Sequence, residues 1–252
     1  MDTVELSDVT AGPIQVVGMS FYFDPLTVQL GDEMGLHRFQ FYGLGRGGVL
    51  GDVDRSVVDD GFTFFHPRVY DFVWDLARDK AEPVPTAQAY LEAAYAFADR
   101  TFGAINPELL SGYARSAQKV VAGVQKGHHK LVDGYRQFAV PASPAHAAYL
   151  GAILMRELRG GVHIDAVHEV GLTASQACYL QGLDAFKGHG YGDDDVPMVT
   201  PELEAKKVDA EVLTTSMMAD YFSVLDDDER TQIRDGALAM FDALKNPVVV
   251  AQ

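Results

Sequence analysis

The stretch from Pro144 to Gly171, PAHAAYLGAILMRELRGGVHIDAVHEVG, constrains this chain more than any other. Ser143 offers an N-cap, Pro144 suits a first helical turn, and Gly171 followed by Thr173 marks a stop and the next start. The spacing therefore predicts one long helix. At about 3.6 residues per turn, Tyr149, Ile153, Arg156, Gly160, His163 and Val167 share one stripe, and Glu157, Gly161, Ile164 and His168 the next. A guanidinium, a carboxylate and two imidazoles thus interrupt an otherwise apolar helix. Each glycine of the Gly160-Gly161 pair costs about 1 kcal/mol relative to alanine inside a helix, so close packing or open space is expected there. The helix reads as the wall of a pocket.

Helical signals continue along the chain and predict an all-α fold. Residues 1–12 carry no strong period and read as a loose or strand-like arm. From Pro13 the apolar run PIQVVGMSFYF is followed by Asp24-Pro25, an N-cap and first-turn proline. The segment from Leu36 to Gly48 is aromatic, then rich in glycine. Its Gly43, Gly45, Gly47 and Gly48 imitate a dinucleotide fingerprint, but neither flank is strand-like, so a closely packed helix is the better reading. Residues 52–65 read as helical, and His66-Pro67 breaks that helix and starts another. Capped core helices follow through residues 86–125, with a shorter, polar helical region over 126–141. Thr173 opens a helix after the central one, and residues 187–195, KGHGYGDDD, have turn chemistry that suits a mobile loop. Thr200 and Asp226 cap the last helices. Strand signals are confined to VPMV at 196–199 and VVV at 248–250, which limits any β structure to a small part of the chain. The organisation expected is an arm at 1–12, a helical core at 13–186 and a C-terminal helical part at 187–252.

Composition then narrows the partners. A chain of 252 residues that is 48% hydrophobic can bury a sizeable core. Its formal charge of −16 opposes non-specific binding to nucleic acid or anionic lipid, which relies on Lys and Arg. A single cysteine, Cys178, excludes a disulfide framework and fits the cytoplasm. No apolar run approaches the roughly 20 residues that a membrane span needs, so a soluble, untargeted protein is expected.

Four stretches together resemble an actinobacterial family of helix-turn-helix proteins derived from MarR-type, winged-helix regulators. They are Phe21-Tyr22-Phe23-Asp24-Pro25, the glycine-rich run from Gly43 to Gly51, Thr63-Phe64-Phe65, and the most specific, Leu154 to His163. Arg156, Glu157, Arg159, Gly160 and His163 keep the family pattern in that last stretch. Leu158, Gly161 and Val162 depart from it, standing where the family has histidine, aspartate and glycine. The resemblance covers residues 13–185 and implies a degenerate winged-helix-like part after residue 187. From Lys187 to Gln252 there are 6 basic and 14 acidic residues, a balance of −8, which does not suit a helix that reads DNA. Regulators of this kind pair through terminal helices, so the resemblance also implies a homodimer.

The expected function is binding of a small, largely apolar or aromatic molecule in an internal pocket. Arg156, Glu157 and His163 are the leading site residues, with His66, Tyr22, Tyr42, Arg46, Tyr149 and Gly160 as further ligand contacts. The same residues suit a second function, an enzyme without an organic cofactor that uses His163 as acid or base and Arg156 to stabilise an anion. A MarR-like regulator is a third. No cofactor can be named, and no metal site is expected: His163 and His168 are five residues apart, whereas a zinc helix spaces its histidines by four. His128-His129 reads as a solvated pair in a polar loop. His189 belongs to the glycine-rich loop, and Cys178 lies mid-helix without nucleophile chemistry around it.

Overall fold

A computed structural model describes residues 1–245, apart from the side chain of Asp60. It is all-α, with no strand among the described residues. The long central helix forms as its sequence predicts. It is α10 (Pro144–Glu169), 26 residues and so roughly 39 Å long.

The chain opens not with an arm but with α1 (Thr3–Met19), which corrects the reading of residues 1–12. Asp2 caps it by accepting the Glu5 N–H at 2.9 Å, and Leu6 and Thr10 are already buried. Pro13 lies inside this helix and does not start it. Proline has no N–H to donate, and the carbonyl four residues back that it would have bonded is that of Val9, on the exposed side of α1.

Asp24 caps α2 (Pro25–Glu33), and His37 caps α3 (Arg38–Gly47), its Nδ1 accepting the Phe39 N–H while its own N–H donates to Gln40 Oε1. The glycines of α3 serve close packing. A Cβ on Gly43 would come within 2.5 Å of Val73, one on Gly45 within 2.6 Å of Tyr90, and one on Gly47 within 2.9 Å of Trp74. Helix α4 (Arg55–Gly61) is short. Helix α5 (Pro67–Tyr70) runs through a π turn (Asp71–Asp75) into α6 (Leu76–Arg78). Then come α7 (Pro83–Phe102), α8 (Pro107–Ala122) and α9 (Lys130–Tyr135).

After α10 follow α11 (Ala174–Gln181), capped by Thr173, α12 (Leu183–Gly188), α13 (Pro201–Phe222) and α14 (Asp227–Lys245). Residues 196–199, expected as a strand, are irregular. Val196, Met198 and Val199 are exposed, so this short apolar run has no partner strand to pair with. The second expected strand, 248–250, lies outside the described residues.

Helix α10 packs on α8, α1, α13 and α7, while α14 packs on α1 and α8. Met218 and Phe222 of α13 and Ile233 and Met240 of α14 join the same core as Leu6, Ile14 and Tyr149. The helices after residue 187 are therefore built into the body of the molecule. No described helix is long and apolar enough to cross a membrane.

Candidate functional site

Every residue of α10 from Ala147 to Met155 is buried, but from Arg156 onward the helix borders a cavity of about 890 Å³. Its other walls come from α1 and α3, from residues 61–65, from residues 127–131, and from α11, α12 and α13. The lining is strongly aromatic on one side, with Tyr22, Phe23, Tyr42, Phe62 and Phe64.

At one end sits an ion cluster. Glu157, only 3% exposed, accepts from Arg46 through both oxygens, Nε to Oε1 at 2.8 Å and Nη2 to Oε2 at 2.6 Å. Arg156 Nη1 donates to the same Oε1 at 3.0 Å. Tyr42 accepts from Arg46 Nη1 at 3.2 Å, and the guanidinium of Arg46 lies over the Phe62 ring. Burial alone would raise the Glu157 pKa. The charges of Arg46 and then Arg156, with their hydrogen bonds, outweigh it and bring it down to about 2. Two guanidinium groups thus share one carboxylate, leaving an excess of one positive charge. Arg156 Nε is also buried without a hydrogen-bond partner. Gly18 lets α1 pass close here, since a Cβ on it would meet Arg156 Cβ at 2.5 Å.

His163 lies two turns further along α10. Its Nδ1 is 2.9 Å from Thr214 Oγ1, and that hydroxyl donates its one proton to the Ala210 carbonyl at 2.7 Å. Nδ1 is therefore the protonated nitrogen, and Nε2 carries the lone pair. Burial, and then the charge of Arg159, lower the His163 pKa against the opposing pull of Glu211, so the ring is neutral near pH 7.

The two α10 glycines have different reasons. A Cβ at Gly160 would meet nothing within 4 Å, whereas one at Gly161 would meet His129 Nδ1 at 2.4 Å. Gly160 keeps space open and Gly161 admits a ring. His129 is consequently 6% exposed, which corrects its reading as solvated, while its neighbour His128 is exposed. Both approach Asp165, one turn after Gly161, and donor atoms of the three lie within 4.8 Å of one another. The sequence offers a weak signal for this grouping. Gly161 and Asp165 are four apart on one helix face, but nothing in the spacing points to a histidine pair more than thirty residues upstream.

Of the residues predicted from sequence, Arg156, Glu157, His163, Gly160, Arg46, Tyr22 and Tyr42 meet at this cavity. Tyr149 and His66 do not. The Tyr149 hydroxyl is buried in the core, bonded to the Ser20 hydroxyl at 3.0 Å and accepting the Phe21 N–H at 3.2 Å. His66 caps α5 by accepting the Arg68 N–H at 3.1 Å. Its own N–H binds the His189 carbonyl at 2.8 Å, and Arg68 binds Asp195, so the glycine-rich loop is tied down at both ends. His189 lines the cavity with a pKa lowered first by burial. Cys178 also lines it, but burial pushes its thiol up to about 12 and Sγ faces the Phe64 carbonyl, so it is no nucleophile.

A helix-turn-helix family model matches residues 10–195, and the chain belongs to that family. No curated protein and no solved structure gives a match. The matched span holds the ion cluster, the aromatic wall and His163, whereas Thr214 and Glu211 come from α13, beyond it.

Proposed function

We propose that this protein binds a small, largely aromatic or apolar molecule carrying an anionic group, and that it descends from MarR-type regulators without reading DNA itself. The observation that carries this reading is the pairing of an aromatic-walled cavity with a buried cluster of two arginines and one glutamate. A volume of about 890 Å³ suits a small organic molecule. The aromatic side takes its apolar body. The uncompensated charge, presented by the partly exposed Arg156 side chain, takes its carboxylate or similar group. Glu157 holds both guanidinium groups in place and is not itself available to the ligand.

The tautomer of His163 favours a second reading, a cofactor-independent enzyme. The bare Nε2 of a neutral imidazole is a proton acceptor. Consumption of a bound compound, lost in His163→Ala, would select it. The overall charge of −16 argues against the regulator, which salt-sensitive binding to an operator fragment would restore.

The test of the binding reading is fluorescence titration with 8-anilinonaphthalene-1-sulfonate, an aromatic anion, alongside neutral N-phenyl-1-naphthylamine. The folded protein takes up both at one site. Arg156→Gln weakens the anion by about 10- to 100-fold, the worth of one charge-assisted contact, and leaves the neutral probe unchanged. Failure of both probes to bind, or an equal effect on both, overturns the reading.

A further inference from the structure

The cavity has a second polar end, away from the arginines, where the loop before α9 meets the last turns of α10. We propose that His128, His129 and Asp165 bind a divalent transition metal ion of the zinc type, with at least one coordination position left for water or for an atom of the cavity's occupant.

Geometry comes first. Asp165 Oδ2 lies 3.1 Å from His128 Nε2 and 4.0 Å from His129 Nε2. Metal bonds of about 2.0–2.2 Å in a tetrahedral arrangement put ligand atoms roughly 3.4 Å apart. All three ligand atoms lie within 4.8 Å of one another, so side-chain rotations that close the widest gap by about 1.4 Å or less convert the cluster into a three-ligand site. The two imidazole rings stand 4.3 Å apart and nearly perpendicular, so their lone pairs can converge without the rings clashing.

The backbone is built to present them. Gly127 adopts a left-handed conformation, φ 88°, that other residues rarely take, and its N–H is bound by the Asp133 carboxylate of α9. The Asp133 N–H in turn binds the His129 carbonyl at 3.0 Å. Gly161 clears the space that the His129 ring fills, and Asp165 follows it by four residues on the same face of α10. A hydrogen bond between His128 and Asp165 alone would require neither the buried second imidazole nor the missing side chain at residue 161.

Donor chemistry fixes the class of ion. Two nitrogens and one carboxylate oxygen suit zinc, nickel, copper or ferrous iron, whereas calcium and magnesium prefer all-oxygen sites. Three protein ligands leave the remaining position facing the cavity that His128, His129 and Asp165 all line.

The site stands independently of what the arginine end binds. It is tested with tag-free, metal-stripped protein by calorimetric titration with Zn²⁺ and by the visible spectrum of the Co²⁺ form. One equivalent of Zn²⁺ binds, and Co²⁺ gives the intense bands of a low-coordinate nitrogen and oxygen site. His128→Ala and Asp165→Asn, both at accessible positions, each weaken binding by more than about 100-fold, because loss of even an outer-shell partner costs 10- to 100-fold. His163→Ala leaves the affinity unchanged. Three results overturn the proposal: no stoichiometric uptake, equal affinity in His128→Ala and Asp165→Asn, or a comparable loss in His163→Ala.

Discussion

The two halves of α10 obey different rules. From Ala147 to Met155 the helix is buried all round and is enclosed by α1, α7 and α8, with nothing left for chemistry. From Arg156 to Glu169 the same helix carries charges, imidazoles and two glycines, and one side of it looks into the cavity. A helix buried over its full circumference anchors. A helix whose next turns are polar on one side can then present that side without losing its position.

The largest effects that sharpen this contrast come from the junction. Glu157→Gln leaves two buried guanidinium groups without their carboxylate, and a loss of about 3–5 kcal/mol in denaturant unfolding is expected. Leu154→Ala, one turn before it in the enclosed half, costs about 2–5 kcal/mol by leaving a void in close packing. A Glu157→Gln effect below 1 kcal/mol would show that the cluster is not held as a buried unit.

Acid titration addresses the same carboxyl in the native sequence. The Glu157 pKa falls from 4.5 to about 2 on folding, so the unfolded chain binds its proton first as pH drops. The stabilisation is complete above pH 4.5 and is lost as pH falls toward 2, about 3 kcal/mol in all. Unfolding followed across this window should lose that slope in Glu157→Gln.

Smaller changes separate the glycines. Gly161→Ala forces the buried His129 ring to move and destabilises by about 1–3 kcal/mol. Gly160→Ala meets nothing and stabilises by up to about 1 kcal/mol through helix propensity. Equal thermal shifts for the two would erase the distinction between packing and open space.

Most of the fold was legible because helix caps and breaks are local. Ser143-Pro144, Asp24-Pro25, Thr173 and Thr200 all mark helix starts that the structure contains. The first helix escaped because its apolar positions are sparse before Ile14 and because Pro13 looks like a beginning. The stripe at Arg156, Gly160 and His163 was legible from helical periodicity. Long-range partners were not: Arg46 meets Glu157 across 111 residues, and His129 meets Gly161 across 32, with no spacing rule connecting either pair. Tyr149 shows the limit of a stripe, since it shares the face of Arg156 but lies in the enclosed half and serves the core.

The direct test of an open far half is to fill it. Gly160→Phe projects a ring into the cavity from a position where a Cβ meets no atom within 4 Å. The account predicts a folded protein with a melting temperature within a few degrees of wild type and no uptake of 8-anilinonaphthalene-1-sulfonate. An unfolded variant, or one that takes up the probe as wild type does, would contradict it.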